Sequence, residues 1–429
     1  MLNYFVKPES FHINKNTVVI LFILGALIYL STYLYDLHVS IIEGFEDMDP
    51  KIKELLENYL KKEGIFQSDG VELQSQSRHP PGNMQVVDKN IFSKLYLRDF
   101  YIKSSFQSCV IDDKGEYLSE EALPFLLRQG IRFYDFDVFK LADEDEPMIA
   151  VNKRDDTDIV TSLNNIYFFK AINKLKRHAF INSLPNSKDP LFIHLKLKSI
   201  YDKDLLLKIY SEIQRVFNFK TPKNKPSLDT FYYKKQDNKE PYVFNNIPRK
   251  RTFIFVTINY EIESSAIDNL LKLENVYRTM PFDTTEITRE GTVFTINHSS
   301  LTNLGSSEAK NTVNRNMQNF TICMPDQAVG SENYNNYAFN CEKDQAICYP
   351  EPMLYGCQFM PTCYFNPKNL SIYNELFEKR IQSGFIVKHP DLRLADIYVQ
   401  SNEYEGVTGN ESATLDSIES SGKNQFPGS

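Results

Sequence analysis

The chain has 429 residues and a formal net charge of -8, and 42% of its residues are hydrophobic. It is long enough for one large or two ordinary domains with a hydrophobic core. The net negative charge argues against a general nucleic-acid binder, because neutralising phosphates needs clustered Lys and Arg, and the short Lys-rich patches at 219–226 and 247–253 are typical of solvated loops.

The first predicted element is a membrane anchor at 17–35, after a short N-terminal segment, 1–16. Residues 17–35 carry no charge and as a helix would span roughly 29 Å, close to the thickness of a bilayer core. A retained anchor is favoured over a cleaved signal peptide, because no small-residue cleavage site follows. Lys7 and Lys15 precede the span, and acidic residues follow it. This predicts a single-pass protein whose C-terminal part lies on the lumenal or extracytoplasmic side, or within an enveloped particle if the membrane is that of a virion.

Three further segments flank the main body of the chain. Residues 49–64 predict a juxtamembrane stem helix, with Asp49 as its cap and Gly64 as its stop. Residues 65–90 are polar and rich in turn formers, which indicates a linker. Residues 399–429 are polar, acidic and poor in core residues, as in disordered tails.

Five of the six cysteines fall within about forty residues, from Cys323 to Cys363. No pair has C-x-x-C spacing, so a zinc site is not favoured. Disulfides and reduced core thiols both remain open. Four asparagines fit the N-glycosylation pattern: Asn297, Asn319, Asn369 and Asn410.

The region 91–398 alternates strand patterns with helix patterns. The strand patterns lie at 97–106, 131–139, 147–151, 190–197, 251–258, 292–296, 319–324 and 357–365, and helix patterns at 119–129, 162–180, 202–217, 264–276 and 369–384. This order predicts an α/β fold with a single TIM-type (β/α)8 barrel, whose functional residues lie at the C-terminal ends of its strands.

The stretch GIRFYDFDVF, 130–139, places Asp135 and Asp137 on one side of an otherwise apolar strand. An edge strand with one wet face would explain them equally well. From Tyr96 to Arg393, however, the chain resembles the catalytic barrel of phosphatidylinositol-specific phospholipase C, closest in style to membrane-anchored versions encoded by large DNA viruses. YIKSSFQS resembles the family's Y-I-x-S-S-H-N-T, LRQGIRFYDFDVF resembles L-x-x-G-C-R-C-x-E-L-D-x-W, and 355–393 resembles the closing G-C-Q segment, helix and G-Y-V-L-K-P.

The resemblance implies acid-base cleavage of a phosphodiester by two histidines, with calcium held by Asn, Glu, Asp and Glu. In this chain Phe106 and Val151 stand at the two histidine positions. Gln107 stands at the Asn ligand and Lys196 at the last carboxylate ligand. The substrate-binding R-x-Y-P pattern is replaced by Ile322, Cys323, Met324 and Pro325.

Only Asp135 and Asp137 keep the chemistry of their family positions, and they would hold calcium weakly. His194 and Lys196 share one face of the strand at 190–197. If Lys196 points into the barrel mouth, its ammonium lies within reach of both aspartates. We therefore expect a structural ion pair in place of the metal, and no cofactor.

The sequence thus predicts a non-catalytic binding or structural module beside a membrane, with a lipid headgroup or another membrane protein as partner. The alternative is an active phosphodiester hydrolase with altered residues, in which His194 or His298 takes over catalysis. A glycerophosphodiester phosphodiesterase is a weaker third reading, since its histidines are equally absent. Fold alone does not imply activity.

Overall fold

The computed structural model describes residues 97–141, 144–153, 159–181, 184, 187, 189–198, 203–223, 251–258, 265–282, 292–331, 334, 339–340, 349–365, 373–374, 376–377 and 384–393. The segments predicted at 1–16, 17–35, 49–64, 65–90 and 399–429 lie outside them. Within the described part of the chain, no helix has the length and apolar run that crossing a bilayer requires.

The described chain alternates strands and helices. The strands are β1 (Phe100–Ile102), β2 (Ser104–Ser105), β3 (Phe133–Phe139), β4 (Met148–Ile149), β5 (Ile166–Tyr167), β6 (Leu191–Leu197), β7 (Thr252–Ile258), β8 (Val276–Pro281), β9 (Val293–Asn297), β10 (Phe320–Met324), β11 (Phe339–Asn340), β12 (Tyr349–Pro350) and β13 (Phe385–Val387). The helices are α1 (Ala122–Arg128), α2 (Phe168–Ala179), α3 (Lys203–Phe217), α4 (Ser265–Lys272), α5 (His298–Thr302), α6 (Ser306–Gln318) and α7 (Glu351–Leu354).

The main sheet is largely parallel. Neighbouring strands β2, β3, β6, β7, β8, β9 and β10 all pair in parallel, in that order. On β3 the sheet also continues through β4 and β5, which pair antiparallel. Outside this sheet, β1 pairs antiparallel with β13. The carboxyl ends of the parallel strands therefore meet at one edge, where side chains from several strands can converge.

Several predicted elements differ from the structure: the pattern at 357–365 forms only isolated bridges, and helix α6 was not predicted. The strand pattern at 147–151 was expected among the parallel strands, but β4 forms an antiparallel hairpin on the end of β3. The helix pattern at 264–276 hides the start of β8, because helix α4 ends at Lys272 and Asn275 then turns the chain with a φ of 62°. Val276 continues the apolar spacing of the helix, so the pattern alone does not show this boundary.

Helices α2 and α3 form where apolar residues recur at helical spacing and bury one face. The buried residues are Phe168, Ala171, Ile172, Leu175 and Ala179 in α2, and Leu205, Leu206, Ile209, Ile213 and Phe217 in α3. Helices α1 to α4 contact one another in chain order. They cover the strands with the apolar layer that a two-sided sheet needs.

An aromatic layer centred on Phe359 lies among the parallel strands. The ring of Phe359 lies 4.6 Å from that of Phe133, 5.1 Å from Phe192, 5.7 Å from Phe255 and 5.8 Å from Phe320, measured between centroids. These five rings come from β3, β6, β7, β10 and the segment after α7. Packing of these rings holds the strands in position relative to one another. The polar residues of the site follow on the same strands, nearer to their carboxyl ends.

The structure also shows the surroundings of four cysteines and of two asparagines from the N-glycosylation patterns. The described cysteines, Cys109, Cys323, Cys357 and Cys363, are buried thiols, which is the core-thiol alternative for these four. Asn319 is buried, and its side-chain amide accepts a bond from the Thr292 amide and donates to the Arg315 carbonyl, so this side chain is not accessible to a glycan in the folded chain. Asn297 is exposed, whereas Asn369 and Asn410 lie outside the described residues.

Candidate functional site

Two neighbouring parallel strands bring four titratable side chains together. In the pairing of β3 with β6, Asp135 is opposite His194 and Asp137 is opposite Lys196. Because alternate residues of a strand share a face, all four side chains lie on the same side of the sheet. The structure thus gathers four of the predicted site residues at the carboxyl ends of β3 and β6.

Lys196 bridges the two aspartates. Its Nζ atom lies 3.2 Å from Oδ2 of Asp135 and 2.8 Å from Oδ1 of Asp137. The side chain of Asp135 is fully buried, that of Asp137 is 3% exposed and that of Lys196 is 15% exposed. The ammonium supplies the counter-charge that two carboxylates need in such a buried place.

The electrostatics of Asp135 follow from these contacts. Burial alone would raise the pKa of this carboxyl group, but the Lys196 ammonium and the hydrogen bond from His194 outweigh burial and leave the pKa below its usual value. Asp135 therefore stays ionised at neutral pH.

His194 is fully buried, and both its ring nitrogens have partners. Nδ1 lies 2.8 Å from Oδ1 of Asp135, and Nε2 lies 2.6 Å from Oγ1 of Thr257 on β7. The Thr257 hydroxyl in turn lies 2.5 Å from Oγ1 of Thr279 on β8. A continuous chain of polar groups therefore crosses four adjacent strands.

Gln107 follows β2 and connects the two aspartates to the loop after β10 through hydrogen bonds. Its φ is 41°, a left-handed conformation that is uncommon outside glycine. Its backbone amide donates to Oδ2 of Asp135 over 3.2 Å, and its Nε2 donates to Oδ2 of Asp137 over 2.9 Å. Its Oε1 accepts from the amide of Val329 over 3.0 Å, so the amide oxygen is turned away from the carboxylates.

Phe106 and Val151, the two residues that the resemblance aligns with histidines, lie in different surroundings. Phe106 stacks on Tyr334 with 6.1 Å between ring centroids, and the Nζ of Lys196 lies 4.7 Å from the centre of the Phe106 ring. Val151 is buried and does not line the pocket described below. His298 also lies away from the pocket lining, with Nε2 3.6 Å from Oε2 of Glu351.

A cavity of about 270 Å³ opens at this edge of the sheet. Its lining is rich in amines, hydroxyls and amides: Phe106, Gln107, Asp137, His194, Lys196, Lys198, Thr257, Thr295, Asn297, Met324, Pro325, Gln327 and Ala328. Of the residues at the family's substrate-binding pattern, Met324 and Pro325 reach this lining, while Ile322 and Cys323 are fully buried. A pocket with these donors suits a small polar ligand.

The residues do not fit the calcium arrangement that the resemblance implies. The oxygens of Asp135 and Asp137 are engaged by Lys196, His194 and Gln107, and the Gln107 oxygen points elsewhere. Within the described residues, no group of three or more His, Cys, Asp or Glu could hold a metal ion. Calcium needs six to eight oxygens, which this set does not offer.

Sequence reasoning missed the residues that complete the site. Thr257 and Thr279 hydrogen-bond in series to His194, and Val329 and Tyr334 come from a loop after β10. The one available signal was Thr257, a hydroxyl among aromatic residues in RTFIFVTI.

The comparisons with known proteins concern the fold. No model of a known protein family matches the sequence, and no curated protein matches it. The crystal structure of PLC21 from L. pealei matches with a TM-score of 0.52 and 13% identity, covering 80% of this chain and 44% of that chain. PLC21 from S. officinalis matches with a TM-score of 0.51 and 14% identity, covering 82% and 46%. A calcium-dependent phosphoinositol-specific phospholipase C from Pseudomonas has a TM-score of 0.38 and 8% identity, covering 64% and 92%. This chain therefore spans less than half the length of the PLC21 structures, and what it shares with phospholipase C structures is an α/β fold.

Proposed function

We propose that this protein is a membrane-anchored phospholipase C-like module that binds a ligand and does not carry out calcium-dependent phosphodiester cleavage. The observation that carries the proposal is the position of Lys196, whose ammonium lies 3.2 and 2.8 Å from the two carboxylates. A fixed ammonium between two acids repels a divalent cation and satisfies the acids without one.

We also propose that the sheet closes into the predicted (β/α)8 barrel. The segment 358–362 supports closure, because it bonds to both ends of the parallel series. On one side, the Cys323 amide donates to the Phe359 carbonyl over 2.9 Å. On the other, the Ile102 amide donates to the Gln358 carbonyl over 2.8 Å, and the Phe106 amide to the Thr362 carbonyl over 3.0 Å. The bridges from Phe359 to Ile102 and to Ile322 are both parallel, as a barrel requires.

The ligand that suits the pocket is an anionic or hydroxyl-rich group, such as a phosphorylated lipid headgroup. Lys198, Thr295, Asn297 and Gln327 line the cavity together with Lys196, and their side chains can all donate hydrogen bonds. The alternative partner is another membrane protein that contacts the strand-end loops.

The membrane attachment is proposed to run through residues 17–35, with the barrel on the lumenal or extracytoplasmic side, or in the corresponding place of a virion membrane. The support is the uncharged run and the basic residues before it. Alkaline carbonate extraction tests this directly, because an integral anchor keeps the chain in the membrane pellet, whereas a Leu24→Arg, Leu27→Arg variant should be released.

The alternative function is an active phosphodiester hydrolase with altered residues. It is favoured by one observation, that an imidazole, His194, reaches the lining of the pocket. An assay of the purified full-length chain separates the two functions. Release of inositol phosphate from phosphatidylinositol vesicles is measured with calcium and with EDTA, for the wild type and for Asp135→Asn.

We expect no release in either condition and no calorimetric signal on calcium titration. Release that is abolished by Asp135→Asn would establish the hydrolase instead. Binding is tested by titrating inositol phosphate into the wild type and into Lys198→Gln, with Lys208→Gln as a control on an exposed helix. We expect weaker binding only for Lys198→Gln, and no binding to the wild type would refute the proposed ligand class.

A further inference from the structure

We propose that Thr257 is a nucleophile activated by His194, and that the pocket can form a covalent phosphoryl ester on the Thr257 hydroxyl without a metal. This goes beyond the proposed binding function. It stands on the contacts in series that join Asp135, His194 and Thr257, at 2.8 Å and 2.6 Å. A carboxylate, an imidazole and a hydroxyl in this order and at these distances form the arrangement that activates a nucleophile.

The hydrogen bonds favour one assignment of protons. Asp135 is an ionised acceptor, so Nδ1 of His194 carries the proton and donates to it. In the neutral imidazole Nε2 is then an acceptor, and the Thr257 hydroxyl donates to it over 2.6 Å. Thr279 donates its own hydroxyl to the oxygen of Thr257 over 2.5 Å. The hydroxyl proton of Thr257 therefore points at the group that can remove it.

Thr257 also faces the cavity. It is partly exposed, whereas the side chains of Asp135 and His194 have no exposed surface. Lys196 is the register partner of Thr257 in the pairing of β6 with β7, and Lys198 lines the same cavity. Two lysines in the lining of the same cavity favour an anionic ester and the charge that develops during its attack.

The step balances as an exchange of esters. Oγ1 of Thr257 forms a bond to phosphorus while its proton moves to Nε2 of His194. The bond from phosphorus to the leaving oxygen breaks, and that oxygen takes the proton from His194. No electron donor or acceptor is needed, and the phosphoryl group stays on Thr257, so no inositol phosphate is released.

The experiment treats the full-length chain with an alkyl fluorophosphonate, in which fluoride is the leaving group. Intact mass reports the adduct, and peptide mapping reports the modified residue. Thr257→Ser keeps a hydroxyl, Thr257→Val removes it, and His194→Gln removes the base. Thr302→Val is the matched control, because Thr302 lies outside the cavity lining and its hydroxyl donates to the Ser299 carbonyl over 3.1 Å.

We expect one adduct, on residue 257, in the wild type, Thr257→Ser and Thr302→Val, and none in Thr257→Val. Labelling of His194→Gln should be slower by about 100-fold or more, the usual contribution of a general base, and added imidazole should restore part of the rate. No adduct on the folded wild type, or an adduct on another residue, overturns the inference. Because mapping of the wild type alone decides the site, a variant that misfolds does not leave the question open. Ligand binding without labelling would refute this inference and leave the proposed function intact.

Discussion

Replacing Lys196 with Met tests whether the internal cation stabilises the fold. The variant keeps a side chain of similar length and removes only the charge that lies between Asp135 and Asp137. Removing one partner from a buried ion pair typically costs about 3 to 5 kcal/mol, because the remaining charge is left uncompensated. We expect the free energy of unfolding to fall.

The structure indicates the lower end of that range, about 3 kcal/mol. Lys196 is 15% exposed, so water can partly screen the loss. Both carboxylates also keep a neutral donor, since His194 bonds to Asp135 and the Gln107 side chain bonds to Asp137.

The loss should depend on pH. In the wild type the pKa of Asp135 lies below its usual value, so this carboxylate contributes stability above its unfolded pKa and loses it as the pH falls through its folded pKa. Without Lys196 the largest of the contributions that lower this pKa is lost, so the folded pKa of Asp135 should rise. Protonation then relieves the buried charge, and the difference between variant and wild type should shrink as the pH falls from 7 towards 5.

Urea unfolding followed by circular dichroism measures both effects, because a change in midpoint without a change in slope is a change in stability. Lys208→Met is the control, since Lys208 forms a 3.0 Å pair with Glu146 on the surface and should lose less than about 1 kcal/mol. If Lys196→Met loses no more than Lys208→Met, or the loss does not depend on pH, the ion pair does not hold this site together.

Three other substitutions have defined outcomes. The melting temperature of Lys196→Glu should rise with added calcium, whereas that of the wild type should not. A rise in the wild type would contradict the metal-free site. Lys388→Met should be more stable than the wild type by on the order of a few kcal/mol at pH 7, because burial lowers the pKa of Lys388 to about 7. That gain should disappear towards pH 10.5 in urea unfolding, and a gain independent of pH would contradict it. Gly330→Ala should lower the free energy of unfolding by about 2 kcal/mol or more, since its φ is 81° and a Cβ would overlap the Lys114 carbonyl oxygen. Gly356→Ala, with a φ of 75° and only ordinary van der Waals neighbours, should lower it by about 1 kcal/mol. Equal losses would exclude the close approach as the cause.

The sequence predicted those elements whose cause is local. The helix patterns at 162–180 and 202–217 match α2 and α3, because each buries one face at helical spacing. The strand pattern at 131–139 contains β3, since alternation along one strand decides where its side chains point. The pattern at 147–151 was assigned wrongly as a parallel strand, because a short apolar run carries no information about its pairing direction.

The same distinction holds at the site. The approach of Lys196 to the two aspartates follows from alternation on two strands and from their being neighbours. The contact of His194 with Thr257 depends in addition on the register of β7, which places Thr257 opposite Lys196 and so one step diagonally from the histidine. Register between strands is a property of the packed core, here of the rings around Phe359, and no single segment encodes it.

The polar site is held in place by groups that depend on one another, and this limits how a calcium-dependent activity could be introduced by mutation. A Phe106→His change alone would put an imidazole where the Phe106 ring now packs on Tyr334 and covers the Lys196 ammonium. The two acids would still be neutralised by Lys196, so no metal would join the new imidazole. A Lys196→Glu change alone would place three carboxylates together with no proton carrier at residue 106. Introducing calcium-dependent cleavage therefore requires at least both changes, and we expect neither single variant to release inositol phosphate in the assay.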